Sequence, residues 1–172
     1  EGANPKNLGF EVNIAGSAIG SPGSYHGENG YGAIKGAKSR AVPDLEQYFH
    51  TKTFLSDALT LEADKEIEKA VAEKRPFYLN MAHYAVHSPF ETDERFIGHY
   101  TDPEKDQQAC AFATLIEGMD KSLGDLMDKL EELGIAENTL IIFLGDNGGD
   151  APLGGAADYG SSAPFKGKKG SE

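Results

Sequence analysis

The chain has 172 residues, 39% of them hydrophobic, enough to bury one core and to read as one globular domain or most of one. Against 16 Lys plus Arg stand 28 Asp plus Glu, and the net charge of -12 argues against nucleic acid and anionic lipid surfaces as partners. No apolar run reaches the roughly 18 residues of a membrane span, and Cys110, the sole cysteine, excludes an internal disulfide and a Cys-rich zinc site. The chain opens Glu-Gly-Ala-Asn-Pro without an initiator Met or leader and stops at Gly-Ser-Glu, so it reads as an internal stretch of a longer polypeptide.

Residues 1 to about 43 are rich in Gly, Ser, Asn and Pro and hold neither helical nor strand periodicity. They read as a long irregular segment, with Tyr25, Tyr31 and several glycines suited to a cleft wall. From about Phe54 to Lys74, the residues Leu55, Leu59, Ala63, Ile67, Ala70 and Val71 form the stripe of an amphipathic surface helix, ended by Arg75-Pro76. The short run Phe77 to Ala82 is then expected to be a buried strand. His83-Tyr84-Ala85-Val86-His87-Ser88-Pro89 falls at that strand's carboxyl end, where sites collect in open α/β sheets.

A second helix is expected from about Gln107 to Leu133, stopped by Gly134. Its stripe of Phe112, Leu115, Ile116, Met119, Leu123, Leu126, Met127, Leu130 and Leu133 reads as core packing. Leu140 to Leu144 is a continuous apolar strand, followed directly by Gly145-Asp146-Asn147-Gly148-Gly149-Asp150. Alternation of helix, strand and site-like loop argues an α/β architecture, a largely parallel sheet flanked by helices.

Three places carry candidate chemistry. Asp146 and Asn147 offer hard oxygen ligands at a strand end, although Asn-Gly is also the strongest short hairpin signal. A hairpin needs a second alternating strand, which residues 151 to 163 do not provide. The loop also lacks the closing glutamate of a calcium helix-loop-helix motif. His87 sits in a His-Ser-Pro turn, either as a structural hydrogen-bonder or as a group that delivers a proton to a charged oxygen. Lys166, Lys168 and Lys169 are either solvated surface or an anion contact, and their spacing fits no nucleotide-binding P-loop.

Four stretches, in this order, resemble the type I sulfatase family, in particular its arylsulfatase A and N-acetylhexosamine-sulfatase-like branch. They are Pro76-Phe-Tyr-Leu-Asn-Met-Ala-His-Tyr-Ala-Val-His-Ser-Pro89, Ile116-Glu-Gly-Met-Asp-Lys-Ser-Leu-Gly124, Asn138-Thr-Leu-Ile-Ile-Phe-Leu-Gly-Asp-Asn-Gly148 and Lys168-Lys-Gly-Ser171. Gly9-Phe-Glu-Val-Asn-Ile-Ala-Gly16 is similar to the region after the family's early catalytic lysine and histidine. The resemblance implies an alkaline-phosphatase-like fold, of which residues 1 to 172 form the central part of the catalytic domain, with the α/β elements in 54 to 172.

It further implies that Asp146 and Asn147 are calcium ligands, that His87 contacts the sulfate and the leaving oxygen, and that Lys169 contacts the sulfate. The family's nucleophile is a formylglycine made from Cys or Ser in Cys/Ser-x-Pro/Ala-x-Arg. Cys110 lies in Gln-Ala-Cys-Ala-Phe and is not that residue, and the early Asp-Asp metal pair and Lys-x-His element are missing. The expected activity is sulfate ester hydrolysis on a small anionic ester, possible carbohydrate sulfates included, in an extracytoplasmic compartment, with the chain alone inactive. Two alternatives stand beside it: a phosphate or phosphonate ester hydrolase of the same superfamily, and a non-catalytic module binding sulfated glycans through Lys168, Lys169 and the aromatic-bearing first segment.

Overall fold

The computed structural model describes residues 4–100, 106–149 and 169. Two helices organise it: α1, Leu55–Ala72, and α2, Gln107–Glu132, packed against each other. Short 3-10 turns punctuate the rest, at Pro5–Leu8, Gly27–Gly32, Lys38–Arg40, Glu46–Tyr48, Ile97–His99 and Ala136–Asn138.

Both helices fall where the apolar spacing puts them, and local chemistry sets their ends. The first free amide of α1, Leu55 N, donates to the Tyr25 carbonyl at 2.8 Å, while Asp57 in the first turn complements the helix dipole. Its far end closes as Lys74 turns left-handed at φ 54° and Arg75 N donates to Ala70 O at 2.9 Å. At the start of α2 the Asp106 carboxylate accepts from Gln108 N. Its end is a Schellman closure: Gly134 N donates to Glu131 O at 2.9 Å and Ile135 N to Leu130 O at 3.0 Å. Gly134 has φ 67°, a conformation that side chains oppose.

Each helix buries small and apolar residues, among them Ala58, Leu59, Ala63 and Ile67 on α1 and Ala111, Leu115 and Gly118 on α2, and the two helices pack together. Within this seam the hydroxyls of Thr60 and Ser122, both buried, bond to each other, so neither is left dry and unpaired.

Residues 10 to 54 supply much of the core instead of a cleft wall. Tyr25 and Tyr31, read as suited to a cleft wall, are 0% exposed and sit with Val42, Leu45, Phe54, Leu55 and Leu115 in one cluster. The irregular backbone can be buried because it bonds to itself, Gly23 N to Arg40 O, Val42 N to Tyr31 O and Gly27 N to Thr53 O, and accepts from the first amide of α1 at Tyr25 O. A Cβ added at Gly32 would stand 2.8 Å from Gly23 Cα, so these two backbones touch where no side chain fits.

The two expected strands form no ladder among the described residues. Leu140 to Leu144 are 45–84% exposed, and Phe77, Tyr78 and Leu79 are also open to solvent. An apolar run becomes a strand only when a neighbour takes its amides and carbonyls, and no described segment does so here. For the same reason the α2 stripe is core only in part: Leu115 and Leu130 are buried, whereas Ile116 and Met127 are exposed. Most of the residues that α2 buries are small: Cys110, Ala111, Thr114, Gly118 and Ser122, beside Leu115 and Leu130.

Candidate functional site

The turn that bears His87 is built from below by residues more than fifty positions earlier. His87 N donates to Tyr84 O at 2.9 Å, closing the turn. The buried Tyr25 hydroxyl donates toward two carbonyls at once, Tyr84 O at 2.8 Å and His87 O at 2.7 Å. Burial first, and then the negative charge of Glu91, push this phenol well above the ordinary tyrosine range, so it keeps its proton and remains a donor. Tyr84 OH in turn donates to Ala15 O at 2.7 Å.

A second tie lies just beyond the turn. One oxygen of Glu91 accepts from Ser24 Oγ at 2.8 Å and from Tyr25 N at 2.5 Å, with His26 Nε2 at 3.9 Å. Further on, the Arg95 guanidinium grips the buried Asp93 through two nitrogens, at 2.9 and 2.6 Å, and reaches Asp57 of α1 at 2.7 Å. Thr114 of α2 accepts from Asp93 N at 3.0 Å. Both helices and the first segment therefore hold residues 84 to 95.

On this support the His87 side chain is exposed, its Nδ1 within 3.2 Å of Ser88 O and Ser88 Oγ. Its imidazole can meet a solvent-borne group, as a donor to an anionic oxygen requires. His83, four residues earlier, is different: burial pushes its pKa below the ordinary value, Nε2 is 3.4 Å from Ser122 Oγ, and Nδ1 is buried with no hydrogen-bond partner among the described residues.

Asp146 and Asn147 lie side by side in an exposed bend after the apolar run. Asn147 Nδ2 donates to Gly148 O at 2.9 Å. Lys169 N donates to Gly149 O at 2.9 Å, which joins the lysine segment to this loop. The structure thus brings Lys169 to the Asp146 loop and places His87 on a separate turn whose described bonds run to Tyr25, Tyr84 and Ser88. Lys166, Lys168 and residues 150 to 163, weighed for the anion contact and the hairpin, lie outside the described residues.

For a hard divalent cation the donor types fit, one carboxylate and one carboxamide, both accessible. The number does not suffice: calcium takes about six to eight oxygens, and the described residues contain no group of three or more His, Cys, Asp or Glu able to hold a metal. Glu91 and the Asp93–Arg95 pair were not marked by the sequence, and Tyr25 was read as part of a cleft wall, because nothing local distinguishes such a tyrosine from one that braces a distant turn.

These features carry a family signature along nearly the whole chain, since the Sulfatase family model matches residues 5–170. The chain belongs to the Sulfatase family. It is 30% identical over 115 residues to N-acetylgalactosamine-6-sulfatase of Canis lupus familiaris, which covers 67% of this chain and 20% of that protein. It is also 30% identical over 96 residues to Arylsulfatase J of Mus musculus, 56% of this chain and 15% of that protein. Among solved structures, "Crystal structure of Ps i-CgsB in complex with k-i-k-neocarrahexaose" matches with a TM-score of 0.57 and 26% identity, covering 73% of this chain and 30% of that one. The chain thus spans a fifth or less of these curated relatives. Family and structural likeness imply the alkaline-phosphatase-like fold, while its sheet is not formed among the described residues.

Proposed function

We propose that residues 1 to 172 are the central part of the catalytic domain of a sulfuric ester hydrolase, which cleaves sulfate esters, sulfated carbohydrates among them. The family match across residues 5–170 carries this reading. Relatives named as sulfatases of an amino sugar and of aryl esters, and a neighbour solved with a neocarrahexaose, support the substrate class. No helix among the described residues is long and apolar enough to cross a membrane, and by family resemblance the protein works in an extracytoplasmic compartment.

In this reading Asp146 and Asn147 would hold a calcium ion, with the remaining ligands from other parts of the protein, and the ion would neutralise charge on the sulfate oxygens. Lys169, on the segment tied to the same loop, adds a positive charge to the anion site. His87 donates its proton to the bridging oxygen as the bond from that oxygen to sulfur breaks, so that an alcohol and not an alkoxide leaves. The attacking oxygen comes from a formylglycine hydrate outside this chain.

An aryl sulfate assay on the intact polypeptide and on residues 1 to 172 tests this. The intact protein is expected to turn over and the shorter chain not to. Asp146→Ala in the intact protein should lower kcat/KM by about 100-fold or more, restored in part by excess calcium. Preference for an aryl phosphate, or turnover by residues 1 to 172 alone, would overturn the assignment.

A further inference from the structure

We infer that Tyr25 is a positioning residue for His87: its hydroxyl, shared between the Tyr84 and His87 carbonyls, sets the direction in which the imidazole leaves the turn. The inference rests on the reading of His87 as the residue that meets the sulfate ester.

The phenol is a brace with one end fixed to α1. Its ring stacks on Phe54 at 5.5 Å and 13°, and its carbonyl accepts from Leu55 N at 2.8 Å, the first amide of the helix. The other end reaches the turn at His87 itself. Because the His87 side chain is exposed and touches Ser88 of the same turn, its direction follows from the backbone beneath it. Tyr84 O accepts from both His87 N and Tyr25 Oη, so the hydroxyl acts on the bond that closes the turn. Glu91 ties the same segment four residues further on, at Ser24 Oγ and Tyr25 N, with no hydrogen bond to the His87 backbone. The two ties meet at Tyr25 and end differently: the hydroxyl reaches the His87 carbonyl, whereas Glu91 holds Ser24 Oγ and the Tyr25 amide, and loss of the Ser24 hydroxyl leaves the Tyr25 hydroxyl in place.

The experiment uses the intact polypeptide and an aryl sulfate. Tyr25→Phe keeps the stacked ring and removes the brace; kcat is expected to fall about 10- to 100-fold, with KM within about twofold. Ser24→Ala loosens the Glu91 tie and is expected to leave kcat unchanged at a similar loss of thermal midpoint. The His87 ring resonance should move in Tyr25→Phe and stay in Ser24→Ala. Unchanged kcat in Tyr25→Phe, or an equal fall in Ser24→Ala, overturns the inference. His87→Ala with full turnover instead overturns the reading on which it rests, so the two failures are distinguishable. Should Tyr25→Phe not fold, 4-fluorophenylalanine at position 25 fills the place of the hydroxyl without donating; a loss confined to kcat supports the brace, and normal kcat overturns it.

Discussion

His83 and His87 share one short segment and receive opposite environments. Since burial depresses the His83 pKa from its ordinary 6.5, the unfolded chain binds more protons than the folded one below that pH. Stability from neutral His83 is complete above pH 6.5 and is lost as pH falls below it. Urea midpoints at pH 7 and pH 5 should therefore differ less in His83→Gln than in the parent chain. An unchanged pH slope would show that His83 stays hydrated. The sequence marks His87 by its Ser-Pro neighbours and by position after an apolar run. It marks Tyr25 only as a residue for a cleft wall and Glu91 not at all, because a hydroxyl that braces a backbone 62 positions away and one that merely packs have the same local pattern.

At the scale of the elements, α2 is set by its two ends. Asp106→Ala removes the bond to Gln108 N and should cost about 1 kcal/mol; Gly134→Ala forces a side chain to φ 67° and should cost about 1 kcal/mol or more. Both are measurable as urea midpoints, and equality with the parent would mean that the helix ends fray without consequence. Leu115→Ala, at a site 0% exposed between the helices, should cost about 2 to 5 kcal/mol. Both helices were legible to within a few residues, since periodicity and caps are local properties. The sheet was not, because a strand is a relation between segments. Leu140 to Leu144 has the composition of a central strand and no described neighbour to pair with. Likewise the irregular first segment gave no sign of carrying the core, since Tyr25 and Tyr31 are buried by contacts made across the fold.

For the molecule as a whole, the distribution of apolar surface is the main fact. Leu140 to Leu144, Phe77 to Leu79, and Ile116 and Met127 of α2 are all exposed. An uncharged run of Leu, Ile and Phe with no ladder among the described residues is prone to intermolecular pairing, even in a chain of net charge -12. Light scattering of residues 1 to 172 should rise with concentration, and Ile142→Lys should suppress it; equal scattering from both would locate association elsewhere.

The buried place of Tyr25 and Tyr31 also fixes where the polypeptide can be shortened. A product beginning at α1 would keep every residue assigned to chemistry, His87, Asp146, Asn147 and Lys169, and still strip the core cluster of Ala15, Tyr25, Tyr31, Val42, Leu45 and Phe54. The indispensable leading edge of this unit is thus a stretch with almost no regular secondary structure, and trimming it as a tail would remove the foundation on which the rest stands.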